Sequence, residues 1–274
     1  MVKKLILNAD DLGFSLGFNF AILRANTEGF LSHASLMANT EYFQHAIDEV
    51  IPKSSLKIGV HANLTCGTAL FSENVLAEKG KLDKDFVQLL FKRKTKKVLA
   101  SIEKELELQI LRIKNAGIEI SHIDGNEHVH IIPSINKIVR KLAKKHSIPR
   151  VREINENIFE SWKYNGGTAK ISTVIKLLLL RFLSLFNKND KKVGFYSMLN
   201  TCEINGKNLF PFLKNSKSYD TVEVMLHPAY VDLDFAYYSK DINPRYIEFL
   251  TSSHRISELE LCFDKNFEEY EIAK

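Results

Sequence analysis

Four short stretches carry most of the side chains able to do chemistry: NADDLG (8–13), GVHANLT (59–65), HIDGNEHVH (122–130) and LHPAY (226–230). Asp10 and Asp11 leave an apolar run side by side. Two like charges so close repel unless a cation or a proton lies between them. One carboxylate therefore suits cation binding and the other proton transfer; the competing use is capping the helix that follows. His61 ends another apolar run, where its imidazole suits a borderline divalent metal such as zinc, nickel or cobalt. A lone histidine there is more often a structural hydrogen-bonding residue, and Asp11 at a neighbouring strand end shifts the balance toward a ligand.

The third stretch holds His122, His128 and His130 with Asp124, Asn126 and Glu127. His122 lies two residues before Asp124 and shares its side of a strand. Gly125 permits a turn, so spacing leaves open whether His128 or His130 faces a metal. His122 and His130 suit the role of partners that orient a ligand. In the fourth stretch Pro228 fixes the backbone after His227. That favours a held imidazole able to donate a proton to a leaving group, against a turn histidine with its ring in solvent. Glu223, earlier in the same run, faces inward and needs a partner.

These stretches need elements to position them. Apolar runs at 4–9, 33–38, 56–61, 118–124, 149–154, 192–197 and 221–226 read as strands. Helical patterns lie between them. The clearest places Leu99, Ile102, Leu106, Ile110 and Ile113 on one stripe over 98–116 and stops at Gly117; another opens at Pro133. Alternation of this kind predicts a parallel sheet with helices outside. About seven units predict a distorted or incomplete TIM-like (β/α) barrel, in which C-terminal strand ends share one face. Residues more than 200 positions apart would then line one pocket. The chain reads as a single domain over 1–274, with an irregular insertion at 155–191 that contains the N-G-G turn signal at 165–167.

The 274 residues carry a net charge of +5 and 45% hydrophobic residues, an ordinary globular balance. Basic runs at 91–97 and 188–192 read as solvated surface, so no nucleic-acid partner is expected. Cys66, Cys202 and Cys262 are odd in number and widely spaced, which argues against a disulfide scaffold and for a reduced, cytoplasmic setting. The first apolar run is too brief for a signal segment. The stretch 174–186 is too short to span a bilayer and is interrupted by Lys176 and Arg181, so no membrane partner is expected. It suits a helix that is buried or faces a second copy, which admits a homodimer.

Taken in order, the four stretches resemble the signatures of the YdjC-like carbohydrate deacetylases, the chitooligosaccharide deacetylase group, from residue 4 to about residue 232. The resemblance implies a distorted (β/α) barrel and one divalent metal ion, Mg²⁺ or Zn²⁺. It implies hydrolysis of the acetamido group of an N-acetylated sugar to acetate and a free amine. Carried over by position, Asp10 becomes the base, Asp11 and His61 metal ligands, and His227 the general acid. The family's second histidine ligand falls on Asn126, so Asn126 through its oxygen, or His128, completes the metal set. Position alone nominates Phe14, Tyr230 and Arg152 as sugar contacts, with Tyr196 a further candidate. Two rivals follow from the same residues. One is another metal-dependent hydrolase, such as a phosphoesterase, since fold does not settle reaction. The other is a non-catalytic sugar-binding relative with a weakened metal site, which Asn126 keeps open.

Overall fold

Strand β1 (Lys4–Leu12) runs through the middle of the molecule. It is joined on one side by β2 (His33–Leu36), β3 (Lys57–Ala62) and β4 (Ile120–Gly125). On the other side lie β6 (Thr221–Leu226) and then β5 (Val193–Tyr196). The sheet order is β4-β3-β2-β1-β6-β5, and every pairing is parallel. A two-residue β7 (Glu271–Ile272) adds to the start of β1. The computed structural model describes residues 2–164, 170–187, 192–201, 203–236 and 246–274; the N-G-G at 165–167 and Cys202 lie outside them.

A curled half-barrel of six strands is the architecture. Strands one to four, six and seven of the sequence reading are present. The expected strand at 149–154 is instead a single bridge between Val151 and Ile123. Its backbone serves both edges of the sheet. Arg152 N donates to Ile123 O at 2.8 Å, and Phe195 N on β5 donates to Asn155 O at 3.4 Å. The segment thus passes between the two edge strands, which carries Arg150 and Arg152 into the curl.

The outer layer follows the helical periodicity. Lys96–Asn115 buries Val98, Ile102, Leu106, Ile110 and Ile113, begins at a Thr95 cap on Val98 N and stops before Gly117, whose φ of +79° suits glycine. Leu99 lies at the shoulder of that stripe, half-buried. The same helix sends two polar side chains inward. Gln109 brackets the Asn63 backbone, accepting from its N at 2.9 Å and donating to its O at 2.7 Å. Glu105 accepts from Leu70 N, Phe71 N and Asn74. Between them they hold the loop that leaves β3, beside His61. A second apolar cluster lies under the Ile171–Ser184 helix, where Leu177, Leu180 and Leu183 pack on Ile131, Ile154 and Phe195.

Candidate active site

The inner face of the curl is filled by a charged network in place of the usual aliphatic layers. Residues two apart share a strand face, so Asn8 and Asp10 of β1 point together, as do His122 and Asp124 of β4. Asn8 Nδ2 bridges Asp10 Oδ1 at 2.8 Å and Ser35 Oγ at 2.9 Å. Arg152, fully buried, lies at the centre. Its Nη1 and Nη2 clamp the two oxygens of Asp10 at 2.7 Å each. Nη2 also meets Asp124 Oδ2 at 2.8 Å, and Nε donates to Glu223 Oε1 at 2.7 Å. Arg150 pairs with the other oxygen of Glu223. Burial alone would raise Glu223, yet Arg150 and Arg152 bring it down to about 2. Buried charges persist when paired and hydrogen-bonded in this way.

Asp124 holds His61. Its Oδ1 lies 2.7 Å from His61 Nδ1, across the register pair of β3 and β4, while Oδ2 accepts from Ser35 Oγ at 2.5 Å. The imidazole is thereby turned so that Nε2 faces Asp11 Oδ1 at 3.4 Å. Asp11 sits in an irregular stretch of β1 with φ +66°, in the left-handed region that non-glycine residues seldom occupy. This twist separates the two aspartates: Asp10 joins the guanidinium and Asp11 turns toward His61. Burial alone would lower the His61 pKa; the charges of Asp124 and Asp10 and the hydrogen bonds of Asp11 and Asp124 raise it to about 10. Burial would raise Asp11, but the hydrogen bond and charge of His61, with His227 and Arg255, hold it below the ordinary carboxylate range.

This geometry fits a divalent cation. A carboxylate on one imidazole nitrogen with the other nitrogen directed at an acid is the arrangement that orients a metal-bound histidine. The proton held by His61 between Asp124 and Asp11 occupies the position that a cation would take. Asp10, His61 and Asp124 also offer ligand atoms within 4.8 Å of one another. Within that trio the Arg152 guanidinium already donates to both carboxylates; Asp11 lies outside the trio, 3.4 Å from His61 Nε2.

Beyond β4 the chain makes a tight turn, with Glu127 at φ +50° and His128 at φ +62°. Consecutive left-handed residues are a form of backbone strain that gathers at functional sites. Asn126 turns toward the β3 loop: its Nδ2 donates to Thr65 Oγ1 at 2.6 Å and its Oδ1 accepts from Glu127 N at 3.0 Å. His128 is buried with Nδ1 unpartnered, and His130 is buried with both ring nitrogens unpartnered. Burial, with the charges of Lys176, His130, Arg152 and His227, holds His128 well below the usual imidazole range. His130 falls to about 3, through burial and the charges of Arg152 and His61 against the opposing Asp124. Both rings are therefore neutral, the form that ligates metals.

His227 closes the site from β6. Its backbone N donates to Glu258 Oε2 at 2.5 Å, its Nδ1 lies 3.5 Å from the same oxygen, and its ring stands edge-on to Phe249. His122 packs against Gly59, where an added Cβ would fall 2.3 Å from the ring, and its Nε2 meets Ser35 Oγ at 3.1 Å.

The expected residues distribute unevenly over this site. Asp10, Asp11 and His61 come together, and the charge of His227 reaches Asp11. Asn126 is tied to Thr65 and His128 is buried nearby. Arg152 corrects the sequence reading: it was expected to touch sugar, but it is fully buried and makes four contacts to three interior carboxylates. Phe14 lies half-buried, edge-on to Phe18 and Tyr246. The Tyr230 hydroxyl accepts from Arg24 Nη1 at 3.0 Å. Tyr196 is fully buried against Phe212. Sequence reasoning gave no role to Asp124 itself and missed Glu258, which lies outside all four motifs.

A family model described as YdjC-like protein matches residues 4–271. A carbohydrate deacetylase of Brevibacillus brevis is 30% identical over 231 residues, covering 84% of this chain and 82% of that one. A carbohydrate deacetylase of Clostridium beijerinckii is 29% identical over 268 residues, 97% of each. Among solved structures, an Enterococcus faecalis protein named for cellobiose-phosphate cleavage superposes with a TM-score of 0.67 at 21% identity, covering 100% of this chain and 98% of the other. That likeness concerns the fold.

Proposed function

This chain belongs to the YdjC-like family, and we propose on that premise that it is a metal-dependent hydrolase removing the acetyl group from an N-acetylated sugar. The carrying observation is the separation of Asp10 and Asp11. Adjacent in sequence, they enter different environments, one clamped by Arg152 and one facing His61. Two carboxylates in unlike surroundings are how a site divides proton transfer from cation binding.

Asp11 and His61 Nε2 would hold the cation, with Asn126 or His128 as the added donor and Asp124 fixing the His61 ring. When bound, a divalent ion supplies Lewis acidity to the acetyl carbonyl and to water. Asp10 accepts the proton of the attacking water. A carboxylate has four lone-pair sites; Asn8 and the two Arg152 nitrogens occupy three, which leaves one on Oδ2. Arg152 holds that carboxylate fixed through two hydrogen bonds. His227 delivers a proton to the departing sugar nitrogen, and Glu258, bonded to its backbone N–H and 3.5 Å from its Nδ1, positions it. Phe14 and Tyr230 are the proposed sugar contacts.

Acetate and free amine released from N-acetylglucosamine oligomers, measured beside phosphate released from an aryl phosphate, test this reading. Acetate release that stops with chelator and returns with added metal supports it. Phosphate release without acetate overturns it.

A further inference from the structure

The Ile171–Ser184 helix is apolar on two opposite sides. Leu177, Leu180 and Leu183 are buried against the second core. At about 100° per residue, Ile171, Ile175, Leu178, Phe182, Leu185 and Phe186 fall on the reverse face within an arc of about 100°. All six are exposed, Ile171 by 81% and Leu185 by 78%. On the Ile158–Tyr164 helix, Phe159 and Trp162 are exposed as well, Phe159 by 85%. Together they present apolar surface on the order of 1,000 Å², beyond the few hundred Å² usual for the largest patch of a monomer.

Charge identifies the occupant. From Phe159 to Asn187 the sequence has four basic residues (Lys163, Lys170, Lys176 and Arg181) and one acidic one, Glu160, which accepts from Ser216 Oγ at 2.5 Å and Lys217 N at 3.2 Å. Lys170 pairs with Glu203 at 2.6 Å; Lys163 and Arg181 are exposed beside the apolar face. A second copy docked on this face would bring two sets of like charges together. A bilayer with anionic headgroups receives both features: apolar side chains enter the acyl boundary, cations stay among the headgroups, and tryptophan favours that interface. The helix has 14 residues, about 21 Å of length, which suits lying in the interface plane. No described helix is long and apolar enough to cross a membrane.

We propose that the exposed face of the Ile171–Ser184 helix, with Phe159 and Trp162, docks this protein on the surface of an anionic bilayer. Asn187 Nδ2, just past the helix, donates to Ile131 O at 2.9 Å. Docking would therefore hold the turn that carries His128 and His130 near the headgroups. The proposal is independent of the reaction catalysed.

Flotation of the full chain with vesicles tests it. The protein should float with vesicles of equal parts phosphatidylglycerol and phosphatidylcholine, and remain behind with phosphatidylcholine alone. Lys163→Ala with Arg181→Ala should weaken partition by about thirty-fold. Ile175→Ser, Leu178→Ser and Phe182→Ser together should abolish it while the circular-dichroism spectrum is unchanged. Failure of the parent to float, or flotation of the triple-serine variant equal to the parent, overturns the proposal. A dimer in light scattering that the triple-serine variant dissociates, without vesicle binding by the parent, assigns the face to a second copy and also overturns it.

Discussion

Replacing Arg152 by methionine keeps much of the side-chain volume and removes the positive centre of the inner network. The loss can be worked from the contacts. Four donated hydrogen bonds disappear, two to Asp10, one to Asp124 and one to Glu223. Among the described residues, Glu223 keeps Arg150, Asp10 keeps Asn8, and Asp124 keeps Ser35 and His61. Removing one partner of a buried ion network costs about 3–5 kcal/mol, and Arg152 is wholly buried, so solvent screening does not reduce that figure. For a chain of this size the melting midpoint should fall by on the order of 10 °C. The pH dependence gives a sharper test. In the parent, burial would raise Asp124, but the charges of Arg152 and His61 hold it well below the ordinary range. A depressed carboxylate contributes stability above its unfolded pKa of about 3.9 and loses it only as pH falls further. That contribution is therefore constant between about pH 5 and pH 7.5. In the variant, burial acts on Asp124 without the Arg152 charge to offset it and raises its pKa, so the folded state binds a proton that the unfolded chain has released. Its stability then declines as pH rises. Urea unfolding of parent and variant should show a gap of several kcal/mol near neutral pH that narrows near pH 5. A gap below about 1 kcal/mol, or one that does not change with pH, would refute the role given to this guanidinium.

Three further substitutions probe other parts of the site. Asp124→Asn leaves an acceptor for His61 but removes its charge, and zinc affinity by equilibrium dialysis should drop by roughly 10–100-fold; unchanged affinity would separate Asp124 from the metal. Gly125→Ala places a Cβ 3.0 Å from His130 Nδ1 and 3.1 Å from Ala62 O, so the urea midpoint should fall by an amount equivalent to about 1–3 kcal/mol, and a parent-like midpoint would show that the turn yields freely. His227→Ala should lower kcat for acetate release by roughly 10²–10⁴-fold with metal content retained; parent-like turnover would remove His227 from the reaction.

The sheet was largely legible from the sequence because β1, β2, β3, β4 and β6 are short apolar runs whose polar residues gather at or just beyond their C-terminal ends, as parallel packing requires. The stretch 149–154 misled because its apolar–charged alternation looks like a strand. In the fold Arg150 and Arg152 point into the curl, and the backbone is divided between two edges. The burial of Arg152 was not legible, because its partners Asp10, Asp124 and Glu223 lie up to 142 positions away in the chain. Nor were the left-handed residues Asp11, Glu127 and His128, since none is glycine and tertiary contacts impose their conformation. Glu258 lies in a C-terminal helix without a motif, and only its contact with His227 reveals it. The motifs thus identify which residues converge, while the separate surroundings of Asp10 and Asp11, on which the proposed division between them rests, come from the irregular turn at the end of β1.

The most direct test of that division is the structure of crystals soaked in zinc, with the ion located by its anomalous signal. The account predicts an ion about 2.0–2.2 Å from an Asp11 oxygen and from His61 Nε2, with Arg152 still clamped on Asp10. An ion bound between Asp10 and Asp124 with Arg152 displaced, or an Asp11–His61 pair that closes on itself under saturating zinc, would contradict it.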